Sequence, residues 1–357
     1  MSRLKVAVVG AGALGRHHVR ILSGLDNVEL VAVAELNEAL GRPMVEQFGT
    51  RWVADFHEII DQVEAASIVV PTTAHLKIAT PFLEHGVPLL IEKPLAADLQ
   101  QSEQIVRLSE AHNVPVQVGH VERFNPAFVA ASERCESPKY IRAERVSPFT
   151  FRSTDIGVVH DLMIHDIDLV LNLVQDRVVR VEAFGLGLMG DFEDCAQARL
   201  HFEGGCIADL VASRINPGAA RQMQIWSAAG CVNVDFTSRE VRHAYPTETL
   251  KFGTSPVERA RQPDADIEQL KRDVFESFIK IDSPSVSDAD ALTAELSSFV
   301  DAISSGTPVS VDSGQALKAM QVAEQVVSAI NAHAWDGQQG HLIGPFPQPV
   351  APLKQAG

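Results

Sequence analysis

The 357-residue chain has few cysteines and a shortage of positive charge. Its four cysteines, Cys135, Cys195, Cys206 and Cys231, are scattered and form no C-x-x-C pair. This spacing argues against a structural zinc site and favours reduced, packed thiols. Lysine and arginine number 30 against 46 acidic residues, which gives a formal net charge of −16. That balance argues against nucleic acid and against an anionic membrane surface as partners.

Long apolar runs are also absent. None approaches the roughly 20 residues that a membrane-spanning helix needs. The N-terminal "MSRLKVAVVGAGALG" enters a predicted strand at once, without the pattern of a secretory signal. We therefore expect a cytoplasmic protein with no membrane partner, and the chain length favours about two domains.

Five short apolar runs alternate with helix-like segments at the start of the chain. The runs are "KVAVV", "NVELVAVAE", "AASIVV", "VPLLIE" and "VPVQV". Continuous apolar strands alternating with helices indicate a parallel sheet that is covered on both faces. We therefore predict a doubly wound α/β domain over residues 1–121.

The pattern changes after residue 121. The runs "RVVRVEAFGLGL", "CAQARLHFEGGCIADLVAS" and "RQMQIWSAAGCVNVDF" indicate antiparallel strands, and Gly204 and Gly205 are expected to give a hairpin turn its positive φ angles. We predict an α+β domain with a large, mainly antiparallel open sheet over 122–335. Helices over about 288–304 and 314–331 close it, and an irregular tail occupies 336–357.

The first strand ends in a glycine motif, G-x-G-x-x-G, formed by Gly10, Gly12 and Gly15. In a dinucleotide-binding Rossmann domain the first glycine permits the tight turn, the second lets the backbone approach a pyrophosphate, and the third lets helix and sheet pack closely. Ala13 and Leu14 complete this turn, at a helix N-terminus that favours phosphate. The alternative is a glycine-rich turn without a ligand.

Glu35 ends the second strand, twenty residues after Gly15. An acid at this point accepts hydrogen bonds from the adenine-ribose hydroxyls and repels a 2′-phosphate, which favours NAD over NADP. Arg42 is close enough in sequence to keep NADP open. The alternative is an exposed glutamate at a strand end.

The motif "IEKPL" places Glu92, Lys93 and Pro94 at the carboxyl end of the fourth strand. Open α/β sheets build their binding sites at this edge. A partly buried lysine there could stabilise an alkoxide or transfer a proton. Without the glycine motif, a surface lysine would be the simpler interpretation.

Taken in order, "GAGALG", "VVPTTAHLKIA", "EKPL", "DLMIHDID" and the "EGG" hairpin resemble the Gfo/Idh/MocA oxidoreductase family over nearly the whole chain. The resemblance implies that Lys93 is the active-site lysine, often with a cis bond into Pro94. The family's T-P-N-x-x-H motif appears here as residues 70–75, without its first Thr and its Asn. The resemblance therefore implies that Thr72 and His75 contact the cofactor, together with Glu92 and Lys93.

The helix "VVHDLMIHDIDLVLN" mixes acids and histidines into an apolar surface. The family's D-x-G-x-H-x-x-D pattern maps onto Asp161, Met163, His165 and Asp168, with Met163 in place of the usual glycine. The resemblance implies that Lys93, Asp161 and His165 form the catalytic set. Imidazole exchanges protons near neutral pH, so His165 suits the base that takes the alcohol proton, and Lys93 is the other candidate. The hydride then passes to the nicotinamide.

This helix has two other possible uses. A metal site is disfavoured, because His160 and His165 are five residues apart and miss the i, i+4 spacing of helical zinc motifs. A buried, hydrogen-bonded polar cluster without catalytic function stays open.

The stretch "GHVERFNPA" followed by this helix is similar to the branch of the family that oxidises C3 of UDP-N-acetylglucosamine. An aminotransferase then converts the 3-keto sugar nucleotide into a precursor of lipid A-type glycolipids. The resemblance implies substrate contacts from six side chains: Lys93, Arg123, Asn125, Arg152, Asp161 and His165. For Arg145, Arg214 and Arg221 we expect surface ion pairs.

Two further functions stay open. A free-sugar or inositol dehydrogenase would use the same catalytic set without a diphosphate pocket. A non-catalytic NAD-binding sensor would need the nucleotide alone. The family also implies a homodimer or homotetramer formed through the face of the open sheet.

Overall fold

The computed structural model describes residues 3–335 and 338–339. It contains two compact units. The first comprises the chain up to Asn125 together with Ala289–Glu324, and the second comprises Pro126–Asp288 with the described residues after Glu324. Of the predicted tail, only Gln338–Gln339 is described, as a two-residue strand; the rest of 336–357 lies outside the described residues.

The strands are named in chain order. They are β1 Leu4–Val9, β2 Val28–Ala34, β3 Arg51–Val53, β4 Ala65–Ile68, β5 Leu89–Glu92, β6 Val116–Gly119, β7 Tyr140–Val146, β8 Val178–Leu186, β9 Cys195–Phe202, β10 Ile207–Ser213, β11 Ala220–Ser227, β12 Gly230–Asp235, β13 Glu240–Pro246, β14 Ile279–Asp282, β15 Ala334–Trp335 and β16 Gln338–Gln339.

The α-helices are named in the same way. They are α1 Gly15–Gly24, α2 Glu38–Phe48, α3 His75–Glu84, α4 Leu99–His112, α5 Pro126–Ser132, α6 Ile164–Val174, α7 Glu248–Phe252, α8 Pro256–Ala260, α9 Ile267–Asp273, α10 Ala291–Ser305 and α11 Ser313–Ala332. Short 3₁₀ and π turns add to these, and the π turn Val159–Met163 runs directly into α6.

The first unit is built on a six-stranded sheet of order β3-β2-β1-β4-β5-β6 in which every pair is parallel. The predicted doubly wound Rossmann architecture is confirmed. Alternate residues of β1 enter different cores: Val6 and Val8 pack with α1, whereas Ala7 and Val9 pack with α3 and α4. Both faces of the sheet are therefore buried, which is why its strands are continuously apolar.

The predicted division of the chain differs from the structure in one respect. Residues 289–324 were expected in the second domain but belong to the first unit. Leu296 and Phe299 of α10 pack in the same core as β1 and α1, and Ala316 of α11 packs in the core on the other face. The chain therefore returns to complete the cover of the parallel sheet.

The second unit is built on an eight-stranded sheet of order β14-β13-β12-β11-β7-β10-β9-β8. All its pairs are antiparallel except β7 with β10, which confirms the predicted mainly antiparallel sheet. Strands β7, β13 and β14 were not predicted from the sequence. The "EGG" turn also differs from the prediction, because Gly205 alone has a positive φ, of 87°.

The second unit buries charge as well as apolar surface. Arg145 takes an inward position on β7 and forms a two-pronged ion pair with Asp166 of α6, with Nη2 2.8 Å from Oδ1. Arg214 follows β10 and donates to Asp194 over 2.7 Å. Both arginines are ion-paired as expected, but they are buried rather than at the surface.

All four cysteines are free thiols, and burial raises the pKa of Cys135 to about 12. Within residues 3–335 and 338–339, no helix combines the length and the hydropathy that crossing a membrane would require.

The buried pair Arg145–Asp166 gives a test of the second unit. Asp166→Leu should lower the free energy of unfolding by about 3–5 kcal/mol, because it removes the carboxylate that the buried Arg145 guanidinium binds through two nitrogens. The double variant Arg145→Met/Asp166→Leu should recover most of this loss in urea denaturation. The exposed pair Arg177–Glu203 is the control, and Arg177→Ala should cost less than about 1 kcal/mol. A double variant as unstable as Asp166→Leu would contradict this account.

Candidate active site

The glycine turn after β1 has the geometry that its sequence predicts. A Cβ at Gly10, whose φ is +100°, would overlap the carbonyl group of Val69, and a Cβ at Gly15 would overlap the carbonyl group of Gly10. These two positions are glycine because backbone atoms fill the space. A Cβ at Gly12 would meet nothing within 4 Å. The open space beside Gly12 is therefore where a pyrophosphate can approach the backbone.

Glu35 is held against this turn. Its carboxylate accepts the N–H of Ala11 over 2.7 Å and that of Asn37 over 2.9 Å. Each carboxylate oxygen keeps a further lone pair that can accept a ribose hydroxyl. Arg42 donates to Glu38 and stacks over Trp52. Arg42, which leaves NADP possible as the cofactor, is therefore already bound by Glu38 of its own helix and by the Trp52 ring.

The other predicted cofactor residues vary in exposure. Ala13 and Leu14 are exposed on the turn, and Thr72 is half-buried on a 3₁₀ turn after β4. Their contacts with a nucleotide stay predictions.

His75 begins α3 and is only 1% exposed. Its Nδ1 lies 3.1 Å from the carbonyl oxygen of Pro94 and 3.3 Å from that of Leu95, and its Nε2 lies 3.0 Å from that of Val70. The ring thus links the loop after β4 with the loop after β5. The prediction that His75 contacts the cofactor is untested, and the partners found for its ring are backbone carbonyls.

Lys93 follows β5, is half-buried, and has a cis bond into Pro94 as the resemblance implied. Its backbone N–H lies 3.3 Å from Oε2 of Glu92. The other carboxylate oxygen of Glu92 lies 3.0 Å from Nε2 of His18, whose Nδ1 is 2.9 Å from Oγ of Ser67. His18 and Ser67 are fully buried, so this serine is out of reach of a substrate. His18 was not predicted from the sequence; its spacing of three residues from Gly15, which turns it towards the sheet, is the signal that could have identified it.

The helix that carries Asp161 and His165 begins with a π turn. The N–H of Asp161 donates to the carbonyl of Gly157 over 3.0 Å. Asp161 and His165 are half-buried, whereas Asp166 and Asp168 are buried. Asp166 is therefore a structural ion-pair partner, whereas Asp161 and His165 retain access to solvent, and their catalytic role stays a prediction.

Glu193, which precedes β9, holds the start of this helix. Its carboxylate accepts the N–H of Val159 over 3.1 Å, and its carbonyl accepts that of Val158 over 2.9 Å. A Cβ at Gly157 would overlap the carboxylate of Glu193, so a side chain at this position would displace that carboxylate. Glu193 was not predicted from the sequence either, because its partners lie more than thirty residues away.

The three polar residues predicted to contact substrate outside the catalytic set lie in different surroundings. Arg152 is exposed, in a loop that Arg214 braces by donating to the carbonyls of Ser153 and Ile156. Arg123 is half-buried on a 3₁₀ turn. Asn125 is buried and donates to Glu122 over 3.0 Å.

The predicted site residues therefore form two sets. Those up to Asn125 belong to the first unit, and Arg152, Asp161 and His165 belong to the second. That Lys93 acts together with Asp161 and His165 stays a prediction. Among the described residues, no three histidine, cysteine or acidic side chains are grouped to hold a metal ion.

Comparison with known proteins identifies the family. Residues 4–120 match the model of an oxidoreductase family with an NAD-binding Rossmann fold, and residues 131–233 match the GFO/IDH/MocA C-terminal domain. The chain belongs to the Gfo/Idh/MocA family of oxidoreductases. Its open glycine turn and the position of Glu35 fit the NAD(H) that the Rossmann model implies.

Individual members of this family cover different parts of the chain. The UDP-N-acetylglucosamine 3-dehydrogenase of Acidithiobacillus ferrooxidans is 30% identical over 93% of this chain and 99% of its own. A crystal form of that enzyme superposes with a TM-score of 0.80, at 29% identity, over 92% of this chain and 98% of its own. The myo-inositol dehydrogenase Hyg17 of Streptomyces leeuwenhoekii is 32% identical over 60% of this chain and 71% of its own.

The glycine turn predicts opposite effects for two similar substitutions. Gly12→Ala should leave the free energy of unfolding within about 0.5 kcal/mol and weaken NAD binding about tenfold or more, because its methyl group fills the open space. Gly15→Ala should cost about 1–3 kcal/mol or more, because its methyl group meets backbone. Urea denaturation and calorimetric titration with NAD measure both. Loss of stability in Gly12→Ala would contradict this assignment.

The burial of His75 predicts a pH dependence of stability. Burial lowers its pKa from the ordinary 6.5, against the raising effect of its carbonyl partners and of Glu92. Below about pH 6.5 the unfolded chain binds a proton that the native His75 ring resists. The free energy of unfolding therefore decreases as the pH is lowered from about 6.5 to the native pKa of His75. The slope is at most about 1.4 kcal/mol per pH unit.

Urea denaturation of the wild type and His75→Gln between pH 5 and 8 isolates this contribution as the difference between two curves. His85→Gln, at the exposed end of the same helix, is the control and should follow the wild type. Parallel curves for His75→Gln and the wild type would show that His75 does not resist protonation.

Proposed function

We propose that the protein is an NAD-dependent dehydrogenase that oxidises a secondary hydroxyl, CH–OH, of a sugar, and that its substrate is UDP-N-acetylglucosamine, oxidised at C3. The similarity to the UDP-N-acetylglucosamine 3-dehydrogenase over 93% of this chain and 99% of that enzyme carries the proposal. The match to the inositol enzyme Hyg17 covers less of both chains.

In this proposal the cofactor is held by the turn from Gly10 to Gly15 and by Glu35. When bound, NAD supplies the hydride acceptor. His165 takes the proton of the reacting hydroxyl, and Asp161, one turn earlier, stabilises the imidazolium that results. Lys93 donates a hydrogen bond to the same oxygen and favours the negative charge that develops on it. Holding these groups together supplies much of the rate.

A sugar nucleotide carries a diphosphate, for which arginine is the preferred side chain. The guanidinium groups of Arg145 and Arg214 are already paired with the carboxylates of Asp166 and Asp194. Among the described residues Arg152 forms no ion pair, and it is exposed, which supports it as a diphosphate ligand. We assign Arg123 and Asn125 to the sugar side of the substrate.

Two alternative functions are compatible with the same chain. A free-sugar or inositol dehydrogenase is supported by Hyg17 and by a Bacillus subtilis scyllo-inositol 2-dehydrogenase that is 26% identical over 60% of this chain. A non-catalytic NAD sensor would use the first unit alone, and the combination of Lys93, Asp161 and His165 argues against it.

We further propose a cytoplasmic homodimer or homotetramer that passes its ketone to an aminotransferase. One face of the eight-stranded sheet carries a row of polar side chains that suits contact between copies. It includes Arg142, Glu144, Gln222, Gln224, Asn233 and Arg242.

The test is the appearance of NADH with UDP-N-acetylglucosamine, its uronic acid, free N-acetylglucosamine and myo-inositol, with NAD and NADP compared. An aminotransferase and an amine donor remove the ketone, because oxidation of a secondary alcohol by NAD is uphill. NADH should appear with the UDP-sugar and NAD. His165→Ala and Lys93→Ala should each lower kcat by about 10²- to 10⁴-fold, and His165→Ala should leave NAD binding intact.

Arg152→Ala separates the two dehydrogenase proposals. It should raise KM for a UDP-sugar and leave kinetics on a free sugar unchanged. NADH formation with inositol or a free sugar alone would contradict the proposed substrate but agree with the proposed mechanism. Biological function that survives both catalytic substitutions would favour the sensor.

A further inference from the structure

The end of β5 holds a buried carboxylate at the centre of four strands and helices. Glu92 is 8% exposed. One oxygen lies 3.0 Å from His18 of α1, and the other lies 3.3 Å from the backbone nitrogen of Lys93. His18 is held in turn by Ser67 of β4 over 2.9 Å. Both His18 and Ser67 are fully buried, so no substrate reaches this chain of contacts directly.

The fourth element, β6, supplies the space. Gly119 lies beside Glu92, and a Cβ there would come within 2.9–3.0 Å of both carboxylate oxygens and the carbon between them. Gly119 has no positive φ, so its backbone conformation does not require glycine. The absence of a side chain at Gly119 therefore leaves the space that the Glu92 carboxylate needs.

Burying a carboxylate is costly unless it is paired. The contact between His18 and Glu92 is close but bent, because Nε2 meets the distance of an ion pair without the alignment of a hydrogen bond. The contact with the Lys93 amide is long. Neither interaction makes Glu92 a strong source of stability, yet together they fix where its charge lies, directly before the active-site lysine.

We propose that His18 is a positioning residue for Lys93. It holds the Glu92 carboxylate in the space left by Gly119, and the carboxylate in turn holds the backbone of Lys93. The loop is fixed on its other side by His75 through the carbonyl oxygens of Pro94 and Leu95. The effect on turnover rests on the proposed function, whereas the effect on the Lys93 backbone does not.

Substitution of His18 by asparagine or by glutamine distinguishes the contacts made by its two ring nitrogens. The amide of His18→Asn lies where Nδ1 was, so it can keep Ser67 and loses Glu92. The amide of His18→Gln reaches the place of Nε2, so it keeps Glu92. We expect kcat to fall about 10- to 100-fold in His18→Asn, the cost of misplacing a catalytic group by about 1 Å. His18→Gln should stay within about threefold of the wild type.

Gly119→Ala tests the same carboxylate without touching His18. The methyl group must displace Glu92, and the displaced atoms are the end of a flexible side chain, so the fold should persist. We expect the same loss of kcat as in His18→Asn, with KM for the sugar unchanged. A loss of NAD affinity with unchanged kcat would show that Glu92 serves only the cofactor contact that the family resemblance implies, and would overturn the proposal.

A measurement on the backbone keeps the test independent of the substrate. In protein labelled with ¹⁵N-lysine, the Lys93 amide is the resonance that Lys93→Arg removes. It should move upfield in His18→Asn and Gly119→Ala and stay near its place in His18→Gln. An unmoved resonance in the first two variants would overturn the proposal, even if none of the sugars is oxidised. Equal losses of activity and stability in both His18 variants would reduce His18 to a structural residue.

Discussion

The close approach of two backbones, at Gly10 and Val69, is the constraint on which the first unit depends. The carbonyl group of Val69 occupies the place of a side chain at Gly10, so neighbouring parallel strands can end side by side. The next residue, Val70, offers its carbonyl to His75, and His75 holds the loop after Lys93. The cofactor turn and the lysine loop therefore share one rigid frame, although they lie some eighty residues apart in the chain.

The second unit places its helix by burying charge rather than by close backbone packing. Glu193 caps the start of the helix, where the partial positive charge of the free N–H groups favours an anion. Asp194 and Arg214 brace the preceding loop, and Asp166 with Arg145 ties the helix to the sheet. An acidic chain thus uses several of its carboxylates as internal acceptors. Because a misplaced internal charge is costly, these pairs favour one position of the helix over its neighbours.

The features that could be predicted from the sequence are those set by interactions between residues close together in the chain. The glycine turn, Glu35 at its strand end and the Lys93–Pro94 loop are set by neighbours in sequence, and their positions in the fold were predicted. Glu193 could not be foreseen, because the N–H that it accepts lies 34 residues away. The helices of residues 289–324 showed an apolar face in the sequence, but periodicity does not say which sheet such a face will cover. The π turn before α6 leaves no comparable pattern.

The distribution of positive charge bears on the choice between a free sugar and a nucleotide sugar. The formal net charge of −16 opposes an anionic substrate at long range, so a diphosphate must be neutralised locally. A guanidinium already bound by a buried carboxylate has few donors left to give, which removes Arg145 and Arg214 from that task. In the proposed enzyme, discrimination for a diphosphate would fall to a small number of accessible cations, of which Arg152 is one. A free polyol would need none of them, so the chemistry proposed at Lys93 and His165 would serve both substrates, and the proposed contact of Arg152 with a diphosphate would separate them.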